Sequence, residues 1–158
     1  MGGFVRAEAG SVGRVVYGRV RPNEDLVEAV EAVCDEAGVL NGFVRGSLGS
    51  LTDACVDCGD GSETVVYGPA VEVVGLAGEV RAASGGKPVA VLNGMIAGPD
   101  GRIGGGRFVR GKNLVCVTFE LAIEEWLAAD GGLYIPEHWP RMTEEEIGAL
   151  AGLSYVDT

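Results

Sequence analysis

Apolar positions recur along this chain at two different spacings. Residues 12–20 (VGRVVYGRV) are rich in β-branched side chains and predict a first strand. Pro22 and Asn23 then open a helix. Asn23 is read as its N-cap, and Glu24 and Asp25 follow where the positive end of the helix dipole favours negative charge. Leu26, Val30, Val33 and Ala37 recur at helical spacing and predict its buried stripe. Gly38 supplies a left-handed stop.

After the helix, strand-like stretches succeed one another at 39–44, 51–57, 64–67, 71–80, 88–96 and 113–123. They are parted by turn signals at Gly59-Asp60-Gly61, Gly68-Pro69, Gly85-Gly86 and Pro99-Asp100-Gly101. One helix followed by many short strands predicts an α+β fold, sandwich-like, with the main helix packed on a mostly antiparallel sheet. The expected domain covers residues 1–126. Residues 127–158 are expected to form a C-terminal arm that packs on the domain or on a neighbouring subunit. Within it, 130–141 reads as an extended, proline-punctuated segment. A short helix follows from about Thr143, where Thr143-Glu144-Glu145-Glu146 has capping-box spacing and Ile147 and Leu150 share a face.

Composition narrows the function classes. The 158 residues are 47% hydrophobic and carry a net charge of −11. That charge disfavours wholesale contact with a phosphate backbone, so direct DNA binding is not expected. No stretch approaches about 18 uninterrupted apolar residues and no leader pattern opens the chain, so a soluble, cytoplasmic protein with no membrane partner is expected. Glycine is over-represented at 27 residues, without a collagen period. Tight turns and close backbone approaches account for it better.

The charge is uneven. Residues 24–36 hold carboxylates and no basic side chain, whereas Arg81, Lys87, Arg102, Arg107, Arg110 and Lys112 gather around the single acid Asp100. Solvated faces are one reading of these runs. The other is a small-anion site built where the glycines cluster.

Five motifs in order carry a family resemblance. Asn23-Glu24-Asp25-Leu26 opens the helix, and Gly46-Ser47-Leu48-Gly49-Ser50-Leu51-Thr52-Asp53-Ala54 follows. Glu72-Val73-Val74-Gly75-Leu76-Ala77-Gly78-Glu79-Val80, Asp100-Gly101-Arg102-Ile103-Gly104-Gly105-Gly106-Arg107 and Thr118-Phe119-Glu120 complete the order. Across residues 12–125 the chain resembles the plants-and-prokaryotes conserved (PPC) domain, whose bacterial members are often labelled DNA-binding proteins. The resemblance implies a homotrimer with sites near subunit boundaries. It also implies, in many bacterial members, a His-x-His pair and a further His after a Gly-Gly turn, a set suited to zinc.

Those positions are Val91, Asn93 and Arg107 here. Valine cannot ligate a metal and arginine repels one, so no metal and no cofactor is expected. Arginine beside asparagine offers donors suited to a carboxylate or phosphate. The expected anion pocket has Arg107 as clamp, Asn93 as orienter, Arg45 from an Arg-Gly-Ser-Leu-Gly turn, Ser47 as donor and Glu120 to position Arg107 or act as a base. A structural Arg107–Glu120 ion pair at a subunit interface is the competing reading. Two other functions stay open: a small-molecule enzyme using Glu120 as acid or base, and a DNA-associated assembly protein.

Other signals read as structural. Arg19-Val20-Arg21-Pro22 has valine where a minor-groove hook has glycine. The lone Cys55-Val56-Asp57-Cys58 lacks the further ligands that zinc requires, and Cys34 and Cys116 sit in apolar stretches. His138 has no nucleophile placed beside it by the sequence. The segment Asp130-Gly131-Gly132-Leu133-Tyr134-Ile135-Pro136-Glu137, with Trp139-Pro140 and the Glu-rich stretch after it, resembles the start of threonine synthase. That enzyme holds pyridoxal phosphate on a lysine, whereas Lys87 and Lys112 lie in the other domain, so the segment is not expected to carry the activity.

Overall fold

The structure, a computed structural model, describes residues 9–128. The extended segment expected at 130–141, His138 and the helix expected from Thr143 lie outside them. Strand β1 (Gly10–Val20) leads into helix α1 (Leu26–Ala37). Strands β2 (Gly42–Leu51), β3 (Ala54–Asp57), β4 (Glu63–Val66), β5 (Val71–Ala82), β6 (Pro88–Ala97), β7 (Ile103–Phe108) and β8 (Val115–Ala128) follow. They form one sheet in the order β1-β8-β2-β5-β6-β7-β3-β4. Every pairing in it is antiparallel.

α1 covers one face of the sheet. Leu26, Val27, Val30 and Cys34 are its buried positions, with Val33 and Ala37 packed against the core more loosely. They meet Val20, Val80, Leu92, Phe119, Leu121 and Ile123 from the strands. Each such side chain contributes roughly 1.5–3 kcal/mol of transfer free energy on burial. Gly18 belongs to this contact, since a Cβ there would stand 3.3 Å from Val33. No described helix is long and apolar enough to cross a membrane.

The helix begins later than expected. Asp25, not Asn23, is the N-cap, its Oδ1 accepting the N–H groups of Val27 (3.0 Å) and Glu28 (3.1 Å). Asn23 instead adopts φ 66°. Its N–H bonds to the Val115 carbonyl while the Val115 N–H bonds to Glu24, so this stretch is laddered to the start of β8 before it can coil. Asp25 Oδ2 also accepts the Asn113 N–H at 2.8 Å. The buried Asn113 amide is fully used in turn: Oδ1 accepts from Cys55 N, and Nδ2 donates to the carbonyls of Cys55 and Val109. At the other end, Gly38 has φ 67° and stops the helix as expected.

Two glycine-rich stretches are strands rather than turns. Residues 46–49 continue β2, held by β8 through Gly46↔Ala122, Ser47↔Leu121, Leu48↔Glu120 and Gly49↔Phe119. The β2–β5 ladder, by contrast, has no registered pair between Val44↔Gly78 and Ser50↔Glu72. Residues 103–108, absent from the expected strands, form β7. A Cβ at Gly106 would stand 2.6 Å from the Asp57 carbonyl, so glycine there lets β7 and β3 approach.

Candidate anion-binding site

The site lies where β6 and β7 part. Their registered pairs run from Ala97↔Ile103 to Asn93↔Arg107 and then stop. Phe108 turns to pair with Val56 of β3, and Arg107 also stands opposite Asp57. Directly opposed residues in an antiparallel sheet point to the same face. Leu92 and Phe108 are buried beneath α1, so Asn93 and Arg107 point away from it, toward the uncovered face, and both are exposed.

Beyond Asn93 the freed backbone of β6 meets the helix. Glu31 accepts the Ala90 N–H at 3.2 Å and the Arg110 Nε at 3.0 Å, and Arg110 also bridges to Glu28. A cleft of about 280 Å³ opens beside this plug, lined among others by Asp57, Glu63, Val91, Arg107 and Arg110. Val91 and Arg107, two of the positions where the resemblance implies histidines, thus border one cleft, and Asn93 faces Arg107 across the ladder.

The charges around the cleft are largely committed. Lys112 holds Glu63 below the usual carboxylate range, chiefly through their hydrogen bond. Asp57 Oδ1 caps the turn N–H groups of Gly59 and Gly61. Arg107 differs: among the described basic side chains, it and Arg21 alone have no described carboxylate within 4.0 Å. A larger groove of about 610 Å³ runs along α1 beside Arg21, but Glu24, Glu28 and Glu36 line it and would repel an anion.

The other expected site residues are elsewhere within the chain. Glu120, on β8, is four strands from β7, about 19 Å at the usual spacing. It pairs with Arg19 at 2.6 Å, so the expected Arg107–Glu120 ion pair does not form within the chain. The Tyr17 hydroxyl, and then Arg19, hold the Glu120 carboxyl below its usual range, which opposes a proton-donor role near neutral pH. Arg45 bridges to Glu124 at 3.1 Å and stacks over Phe43. Ser47, opposite Leu121, faces the helix side and not the side of Arg107. Sequence reasoning did not anticipate Glu31 or Asp57 at this site, and it named Arg110 only within the wider basic run. The Arg107–Arg110 spacing was a visible signal, whereas Glu31 and Asp57 are brought there only by helix placement and strand register.

One cysteine reaches the cleft's lining: Cys55 Sγ lies 3.6 Å from the Glu63 carboxylate. Cys34 and Cys55 are buried and Cys58 is exposed. Among the described residues no three His, Cys, Asp or Glu side chains group to hold a metal ion. Arg19 is tied to Glu120 and Val20 is 1% exposed.

The model of the Plants and Prokaryotes Conserved (PCC) domain matches residues 7–127. The chain belongs to this family. Among solved structures, a Pyrococcus horikoshii plant- and prokaryote-conserved protein is similar at TM-score 0.62 and 20% identity, over 77% of this chain and 85% of that one. A Bacteroides thetaiotaomicron protein described as a candidate DNA-binding protein is similar at TM-score 0.61 and 16% identity, over 73% and 83%. At such identities the likeness is one of fold. The threonine synthase N-terminus model matches residues 109–158. Threonine synthase of Pseudomonas aeruginosa is 51% identical over 39 residues, which span 25% of this chain and 8% of that enzyme. The two family models overlap over 109–127, a stretch that takes in all of the β8 strand except Ala128.

Proposed function

We propose that this PCC domain binds a small carboxylate or phosphate at the mouth of the β6–β7 cleft, with Arg107 as the clamp and Asn93 as the orienting donor. The observation that carries the reading is the unpaired Arg107 guanidinium, set opposite Asn93 on an open face while its basic neighbours Arg102, Arg110 and Lys112 are neutralised by carboxylates. A free guanidinium presents a donor fork that matches a carboxylate or phosphate. The cleft volume suits a ligand of a few heavy atoms. The protein works as a homotrimer in this reading, with Val74, Val89, Met95 and Ile103, all exposed, supplying apolar contact between copies. Arg45 and Glu120, remote from Arg107 within one chain, reach a site only if a neighbouring copy brings them.

Titration calorimetry with inorganic phosphate and with succinate at low salt tests the site. Saturable binding that weakens at least tenfold in Arg107→Ala supports it, and unchanged affinity in that variant overturns it. Native mass spectrometry reads the trimer directly. The name of the Bacteroides neighbour favours a second reading, association with DNA. It predicts duplex binding that falls steeply between about 50 and 200 mM salt. The net charge of −11 and the neutralised basic cluster oppose it.

A further inference from the structure

The sheet face opposite α1 carries a second apolar area, away from the Arg107 cleft. Its rows follow from register: Val12 beside Trp126, Val15 beside Glu124 and Phe43, Tyr17 beside Ala122 and Gly46, then Arg19 beside Glu120 and Leu48. Val15, Tyr17 and Leu48 are 64%, 61% and 66% exposed. Between them Ala122 and Gly46 form a low floor, and a Cβ at Gly46 would meet nothing within 4 Å. This is a trough whose rim carries Val15, Phe43, Tyr17 and Leu48, interleaved with Glu120 and Glu124. The arginines beside it bring no excess charge, since Arg14, Arg19 and Arg45 are each bound to a glutamate of β8.

We infer that this trough is the docking surface for the C-terminal segment of the same chain, residues 143–153, lying across β1, β8 and β2 with Ile147, Leu150 and Ala151 turned into it. Chain geometry favours this occupant. Ala128, the last described residue, pairs with Gly10 at the open end of the trough, so the chain beyond it starts from the end marked by Val12 and Trp126. The fourteen residues between Ala128 and Thr143 can span roughly 45 Å when extended, against about 25 Å from Val12 to Arg19. Ile147, Leu150 and Ala151 stand at i, i+3 and i+4, the spacing of one helix face. A sheet with apolar side chains on both faces is completed by a layer on each, and α1 provides only one. The inference is independent of the anion reading.

Hydrogen exchange of the full chain tests it. The amides of 143–153 are expected to be protected, equally at high and low protein concentration. The exposed-site double variant Val15→Ser/Tyr17→Ser and the reciprocal Ile147→Ser should each speed their exchange at least tenfold and leave the α1 amides unchanged. Arg107→Ala should leave that protection intact. Unprotected amides in the unmodified chain overturn the inference, as does protection that survives the double variant. Protection that disappears on dilution also overturns it and assigns the trough to a second copy.

Discussion

Asn93 and Arg107 face each other as the last registered pair of β6 and β7 before the two strands separate. This places a free guanidinium and an amide at a strand fork, where backbone pairing no longer fills the space. Arg107→Lys keeps the charge and removes the planar fork, so phosphate or succinate affinity should fall about tenfold, and Asn93→Ala should lower it severalfold. Calorimetry of the two variants checks this. Equal affinity in Arg107→Lys would show that charge alone is read.

Asp25 ties three backbone N–H groups together across α1 and the start of β8. Asp25→Ala leaves them without that acceptor, and one of them belongs to the buried Asn113. A loss of about 2–3 kcal/mol is expected, above the ~1 kcal/mol of an ordinary cap. Urea denaturation of the variant measures it. Asn23→Ala, at the position the sequence suggested as the cap, removes no side-chain bond to the helix and should cost less.

The thiols should separate by burial. Burial pushes Cys34 up to about 11, and burial with Glu63 beside it raises Cys55 as well. At pH 8 Ellman's reagent should find a fast thiol that disappears in Cys58→Ser, while Cys34 and Cys55 react only on unfolding. Rapid reaction of all the thiols in native protein would contradict the packing described.

Acid should weaken the fold through its ion pairs. Lys112 lowers Glu63, Tyr17 and Arg19 lower Glu120, and Arg14 lowers Glu125, each from the ordinary glutamate value of 4.5. A folded-state pKa below the unfolded one means that the stabilisation is complete above the unfolded value. It fades as pH drops through 4.5 and is gone below the folded values. The urea midpoint should therefore fall between pH 6 and pH 3. The Glu63→Gln/Glu125→Gln variant should show a flatter decline, and an identical decline would mean these pairs contribute nothing.

Local chemistry made part of this protein legible in its sequence. The α1 stripe of Leu26 and Val30, the left-handed Gly38 and the β-branched runs of β1 and β5 depend on neighbours within a few residues, so periodicity and turn propensity reveal them. The positions Val91, Asn93 and Arg107 were legible from motif order, and the structure brings them to one strand fork. Tertiary pairing decided the rest. Glycine lacks a strand propensity of its own, so residues 46–49 become a strand only because β8 pairs with them, and 103–108 only because β6 and, at its end, β3 do. The helix start moves to Leu26 because the 23–25 backbone is bonded to the 113–115 stretch, far away in sequence. Glu120 pairs with Arg19 and not with Arg107, since strand order sets β8 beside β1 and four strands from β7. Which charges meet is a property of register and strand order, and those are settled by long-range burial that no local window of sequence contains.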